Sequence, residues 1–421
     1  MTVLATAVRL FLAATLSAGA LAQAPLPVGN AAPTGYAVPI GGALSFRNAE
    51  VWGRLVQLAG GQGARFVVVP AAAGKPEKAG AQIAEALSRA GAQSEVLPVA
   101  PNWPGRPANE AVNDPALVEK ILAAQGVYFA GGAQERIVDT LAPGGKATPL
   151  LDAIWQVYRR GGVVAGSSAG AAIMSSTMFR DAPDTLRVLQ GELREGREVA
   201  QGLGFVGPAL FVDQHFLKRG RIGRILPMMV AKGYKLGLGV EENSAVIVHG
   251  DEVEVIGARG ALLVDLADAR QDKTLGAFNL KGVKLSYLDH GDRYDLKQRT
   301  VLPSAEKLAD TRIDPSATDY RPYFDNQPFY PDMLGDNTIV HAMTNLIDNK
   351  LPEVHGLAFA GEPQATDAKG QLGFSFRLYK GQGSLGWYTS RQGGEDYTVA
   401  NLYLDVLPVR MQRPLFQAWS E

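Results

Sequence analysis

The chain has 421 residues, 46% hydrophobic and 20% charged, with a formal net charge of −1. That length suggests two or three domains with ample core material, and the near-neutral balance argues against nucleic acid as a partner, since phosphate binding normally leaves a basic excess. Cysteine is absent, which excludes disulfides, a thiol nucleophile and thiolate metal sites.

The N-terminus reads as a secretory signal. Arg9 is the only charge before residue 40, the apolar run 10–16 follows, and Ala20-Leu21-Ala22 offers a small-residue cleavage site. Residues 1–22 are expected to be a signal peptide cleaved near Ala22, and 23–37 a leader, in a protein secreted to the periplasm or the medium. The apolar run is too short to span a bilayer and no later stretch reaches the length required, so no membrane partner is expected.

Strands and helices then alternate. Short apolar, β-branched runs predict strands at 36–40, 65–69, 94–99 and 126–130. Helical spacing predicts helices at 49–58, 79–90, 117–124 and 150–158. This alternation implies an α/β fold, a doubly wound, mostly parallel sheet flanked by helices, whose ligand sites lie outside the strand carboxyl ends. Gly131-Gly132 and Ser168 both fall at such ends. Beyond residue 240 the pattern changes. Runs at 245–249 and 253–256 flank Gly250-Asp251 as a hairpin, and from about 290 the chain becomes polar and loop-rich. A helix at 339–347 and two alternating strands, marked by Leu372, Phe374, Phe376 and Leu378 and by Leu402, Leu404 and Val406, complete it. The expected division is an α/β domain over 38–290 and a separate, mostly β C-terminal region over 291–421.

The chemistry centres on Gly166-Ser167-Ser168-Ala169-Gly170. An apolar run leads into it and small, helix-compatible residues follow, the strand–turn–helix setting of a G-x-S-x-G nucleophile elbow. A serine hydroxyl needs a base, usually histidine. Of five histidines, His215 ends the apolar segment 209–212 and stands in Asp213-Gln214-His215-Phe216-Leu217-Lys218-Arg219-Gly220-Arg221-Ile222-Gly223-Arg224. Arg219, Arg221 and Arg224 beside it suit a substrate rich in carboxylates, although a solvated helix face is the plainer reading. An imidazolium needs a carboxylate behind it, which Gly239-Val240-Glu241-Glu242 offers. Asp213 and His215 complete no recognisable ligand spacing, so neither a metal nor a cofactor is expected.

With these residues in view, the chain resembles the cyanophycinases, serine peptidases of the family that also contains the α-aspartyl dipeptidases. The resemblance rests on Gly131-Gly132-Ala133-Gln134, Gly166-to-Ala171, the Asp213-to-Arg224 block and Gly239-to-Glu242, and covers roughly residues 38 to 265. It implies a fold of the class I glutamine amidotransferase-like or flavodoxin-like kind. It also implies hydrolysis of cyanophycin, a poly-aspartate carrying arginine on each side-chain carboxyl, to β-aspartyl-arginine dipeptides. By motif position, Ser168 is then the nucleophile, His215 the general base and Glu242 the orienting acid. Gln134, Asp213, Gln214, Arg219, Arg221 and Arg224 fall where the family binds substrate, and Gly132, Ala133 and Ala169 supply the oxyanion hole. In the dipeptidase branch the acid precedes the histidine, which keeps Asp181, Asp184, Glu192, Glu195 and Glu198 open as alternatives to Glu242. Two other functions stay open: a peptidase of the same family acting on small aspartyl peptides, and a catalytically silent binding protein on the same scaffold. A homodimer is also left open.

Overall fold

The computed structural model of the protein describes residues 35–181, 184–361, 370–391, 393–412 and 414–419. The expected signal peptide and most of the expected leader lie outside the described residues. Among the described residues, no helix is long and apolar enough to cross a membrane.

Five strands, β1 (Tyr36–Ile40), β2 (Arg65–Val69), β3 (Gln93–Val96), β4 (Gly126–Phe129) and β5 (Val163–Ser167), pair in parallel in the order β3-β2-β4-β5-β1. Their side chains alternate between two apolar layers, as a period of two requires. Val67, Val69, Val127, Phe129 and Val164 enter one layer; Phe66, Val68, Tyr128, Val163 and Ala165 enter the other. The helices Ala49–Leu58 and Pro76–Arg89 cover one face through Leu55 and Leu87. Those at Pro115–Ala123 and Pro149–Arg159 cover the opposite face through Leu117 and Ile154. Local chemistry starts these helices where it should. Asn48, Asp114 and Thr148 each accept a hydrogen bond from a first-turn N–H, and Pro115 and Pro149 occupy the first helical position.

The doubly wound parallel half is thus present, but the sheet does not stop at β1. It continues antiparallel through Ser244–His249, Glu252–Gly257, Arg293–Asp295 and Thr300–Leu302. A second sheet contains, in order, Phe329–Tyr330, Glu353–Ala358, Gln371–Tyr379, Asp396–Met411, Leu280–Leu288, Ala261–Asp265, Leu236–Val240 and Leu210–Gln214. One face of the strands at the Leu210–Gln214 end, including Leu210, Val212, Leu238 and Leu263, joins the first sheet's core. The other face, including Phe211, Leu262 and Val264, packs with Met343 and Leu346 of the helix Thr338–Ile347.

The expected boundary at 290/291 therefore needs correction. Arg293–Asp295 and Thr300–Leu302 extend the first sheet, while Asp396–Met411 pairs with Leu280–Leu288 in the second. A buried node locks this arrangement: Asp292 accepts from Lys307 Nζ at 2.9 Å and from the Thr398 hydroxyl. The polar loops after 290 suggested an appendage, but the strand at 280–288 needs a partner on its outer edge, and the C-terminal strand supplies it.

Candidate active site

β5 ends against a turn that only small residues can make. Ser168 has φ 55 and ψ −107, a strained backbone for a residue with a Cβ, and begins the short helix Ala169–Ala172. The flanking glycines are dictated by contact. A Cβ on Gly166 would lie 2.6 Å from the Gly170 carbonyl group, and one on Gly170 would lie 2.6 Å from Phe129 O. The turn therefore lifts the Ser168 hydroxyl off the carboxyl edge of the parallel strands.

His215 follows the strand Leu210–Gln214 in a second strained conformation, φ 47. Its backbone N–H donates to Gly41 O at 2.7 Å, which fastens it beyond the end of β1. Its ring Nε2 lies 2.8 Å from Ser168 Oγ, and its Nδ1 lies 2.6 Å from Glu242 Oε1. The three groups named from distant parts of the chain meet in one hydrogen-bonded line. Among the alternative acids, Asp184 caps the helix at Thr185–Leu189, Glu195 pairs with Lys232 and Glu198 with Arg194. None of these contacts involves His215.

The neighbouring Glu241 does different work. It is fully buried, and its Oε2 accepts from the Leu217 N–H at 2.6 Å and the Lys218 N–H at 3.0 Å. The tandem carboxylates thus have separate roles: Glu241 anchors the backbone after His215 and Glu242 engages its ring. The Gly41-Gly42 turn, read from sequence only as a turn, forms the floor. Gly42 has φ 111, and a Cβ there would lie 2.2 Å from His215 Cε1 and 2.3 Å from Nε2. Gly42→Ala is expected to push the imidazole off Ser168 and lower kcat by about 10²-fold. Steady-state kinetics together with a retained cooperative thermal transition would check this.

The expected substrate-binding residues divide sharply. Asp213 is buried and accepts from Arg224 Nε at 2.7 Å, Arg224 Nη2 at 2.5 Å and Arg221 Nη1 at 3.3 Å. Burial alone would raise this carboxyl, but the two guanidinium groups hold it below the usual carboxylate range. Arg221 also donates to Gln214 O at 2.5 Å, and Arg224 stacks 4.2 Å from the Phe179 ring centroid. Asp213, Arg221 and Arg224 are thus a buried ionic brace under the His215 loop, not groups open to substrate. Asp213→Asn would leave two buried guanidinium groups without their carboxylate, a cost of about 3–5 kcal/mol. The expected readout is a lower urea midpoint with an unchanged slope. Gln134 is likewise committed, donating to Phe179 O at 2.8 Å and Arg180 O at 3.3 Å. Gln214 is buried, with an amide oxygen that has no partner among the described residues. Only Arg219 of these six is exposed, and its guanidinium makes no hydrogen bond among the described residues.

The expected oxyanion donors need one correction. The Ala133 N–H donates to Ala72 O at 3.0 Å, so it is already spent. Gly132 packs against the same carbonyl, where a Cβ would sit 2.0 Å from Ala72 O, and Gly131 abuts Ser168. Ala169 is the first residue of its helix, where the N–H has no intrahelical acceptor.

The C-terminal region buttresses the same loop. A Cβ on Gly220 would lie 1.9 Å from Leu334 O, the Asn337 N–H donates to Leu217 O at 3.0 Å, and Asp336 pairs with Lys218. No sequence signal connected residues 334–337 to the histidine.

Among known proteins, the model of Peptidase family S51 matches residues 40–256, just over half of the chain. A cyanophycinase from Geminocystis herdmanii is 32% identical over 256 residues, covering 59% of this chain and 88% of its own. One from Nostoc sp. is 29% identical over 261 residues, covering 60% and 82%. A solved peptidase from an acI-B1 Actinobacterium is similar at 22% identity over 62% of this chain and 97% of its own, with a TM-score of 0.46. On the family match and the cyanophycinases, the chain belongs to Peptidase family S51 and is a serine-type peptidase.

Proposed function

We propose that this peptidase is a secreted exopeptidase that hydrolyses cyanophycin to β-aspartyl-arginine dipeptides through an acyl-enzyme on Ser168. The observation that carries the reading is the line Ser168 Oγ–His215 Nε2–Glu242 Oε1, with separations of 2.8 and 2.6 Å, in a relative of named cyanophycinases.

In this mechanism His215 Nε2 takes the Ser168 proton as Oγ attacks a backbone carbonyl of the poly-aspartate chain. The imidazolium then protonates the leaving amine as the C–N bond breaks, and water, deprotonated by the same ring, releases the acyl group. Glu242 accepts a hydrogen bond from the Nδ1–H and stabilises the charged ring. The N–H groups of Ala169 and Gly132 face the oxyanion. Arg219 is the cation left available for a substrate carboxylate. The His215 pKa is suited to a base: burial of the ring lowers it, and the positive charges of Arg219 and Arg221 add to that, against the Glu242 hydrogen bond, which raises it.

The test is incubation with purified cyanophycin and, separately, with free aspartyl dipeptides, followed by mass analysis. Release of aspartyl-arginine from the polymer supports the reading. Cleavage of dipeptides alone would replace it with a peptidase for small aspartyl peptides. Secretion is supported by the N-terminal pattern from Arg9 to Ala22. Recovery of extracellular or periplasmic protein beginning at Gln23 would test it.

A further inference from the structure

Ser168, His215 and Glu242 all precede residue 243, yet the chain after residue 310, besides bracing the His215 loop, borders a cavity of its own. Its volume is about 760 Å³, and it is lined by Thr311–Asp314, the loop over 317–323, Asp348, Tyr388, Glu395 and Tyr397. That size lies within the range of about 300–1,000 Å³ typical of small-molecule sites.

The walls combine phenol rings with carboxylates. Tyr388 and Tyr397 lie 4.9 Å apart, Tyr320 lines another side, and Tyr323 stands exposed at the rim. Asp314 is neutralised by Arg312, whose Nη2 donates to it at 2.9 Å. Asp319, Asp348 and Glu395 remain, against Arg321 and, beside Asp348, Lys380. Asp348 is buried; burial raises its pKa, and its Oδ1 accepts from the Tyr323 N–H at 2.9 Å. The Tyr320 hydroxyl is spent on Ile347 O and Asn349 O, both at 2.9 Å, and its ring already faces a cation, Lys380 Nζ at 5.1 Å from the centroid.

Tyr397 is the decisive group. It is only 8% exposed, it lines the cavity, and its phenol oxygen has no hydrogen-bond partner among the described residues. With its donor and acceptor capacity unused, that hydroxyl is available to a ligand in the cavity. An anionic ligand would meet the excess of carboxylates, and an apolar one would leave them desolvated and unpaired. A guanidinium suits both features: its flat face stacks on tyrosine rings and its fork of N–H donors matches carboxylate and phenol oxygens.

We propose that this cavity is a second, non-catalytic site that binds the guanidinium of an arginyl side chain and holds the polymer while Ser168 cuts it. The proposal rests on the cyanophycin reading above for its polymer, and on the cavity alone for its ligand class.

The test compares Ser168→Ala with the same protein also carrying Asp319→Asn, Glu395→Gln and Tyr397→Phe. Two readouts are used: co-sedimentation with cyanophycin granules, and titration with Nα-acetyl-L-arginine amide against its uncharged citrulline analogue. The cavity variant is expected to sediment at least tenfold less and to lose the arginine-amide binding seen in Ser168→Ala, with no citrulline binding in either. With Ser168 intact, the three cavity substitutions should leave hydrolysis of a soluble, short aspartyl-arginine chain unchanged, which also verifies folding. Equal sedimentation and equal titration in both proteins would overturn the proposal. If the native enzyme neither retains nor cleaves cyanophycin but the titration difference persists, the guanidinium site stands and the polymer reading falls.

Discussion

Ser168→Ala is expected to lower kcat by about 10⁶-fold, the cost of deleting the nucleophile from a unit whose members act together. The fold should be untouched. Among the described residues the hydroxyl's one hydrogen-bond partner is the His215 ring, and the strain at Ser168 lies in the backbone, φ 55, which alanine shares. Ser168 is held by elements on both sides: its N–H donates to Ile40 O at 2.9 Å, while its own carbonyl accepts from the Ala171 and Ala172 N–H groups. Rates measured on one soluble substrate, with thermal unfolding alongside, separate a chemical loss from a structural one. A loss under tenfold would reassign the nucleophile.

Glu242→Gln is expected to cost about 10⁴-fold in kcat, because an amide in place of the carboxylate no longer fixes the Nδ1–H tautomer or stabilises the imidazolium. The pH profile adds a second readout. His215 has its pKa lowered by burial first and by Arg219 and Arg221, while the Glu242 hydrogen bond raises it. For a base that must be neutral, kcat/KM rises with pH through the folded pKa and is lost as pH falls below it. That acid limb should lie below the ordinary imidazole range near pH 6.5. Removing the Glu242 charge should shift the residual activity's limb to still lower pH. A limb above pH 7 in the native enzyme would contradict this electrostatic picture.

The parallel half of the fold was legible because its strands carry strong local signals. The β-branched Arg65–Val69 run and the Asn48-capped helix Ala49–Leu58 appear where their patterns placed them. The strand Leu236–Val240 was not legible, since glycine weakens a strand signal. Its glycines answer to packing: a Cβ on Gly237 would lie 2.4 Å from Met229 Sδ, and one on Gly239 would lie 2.2 Å from Phe216 Cγ. Without that strand, the second sheet could not be anticipated, nor could the C-terminal strand's place in it.

At the site, residue types and motif spacing pointed to Ser168 and His215, but proximity along the chain could not choose among the acids. In the structure, backbone turns at His215, φ 47, and Asn243, φ 58, bring the ring and the Glu242 carboxylate together. The Asn243 side chain helps set its turn, accepting from the Ser45 N–H at 3.0 Å. The Asp213–Arg221–Arg224 cluster marks the opposite limit. Its charges were visible, but whether they face water, substrate or one another depends on burial, which one sequence does not display.

The most direct measurement is covalent labelling with a serine-directed phosphonylating reagent, followed by peptide mass mapping. The expected result is a single adduct on the peptide containing Ser168, formed in the native protein and suppressed by His215→Ala. An adduct on a different serine, or labelling of Ser168 that His215→Ala leaves equally fast, would contradict activation of this hydroxyl by this ring.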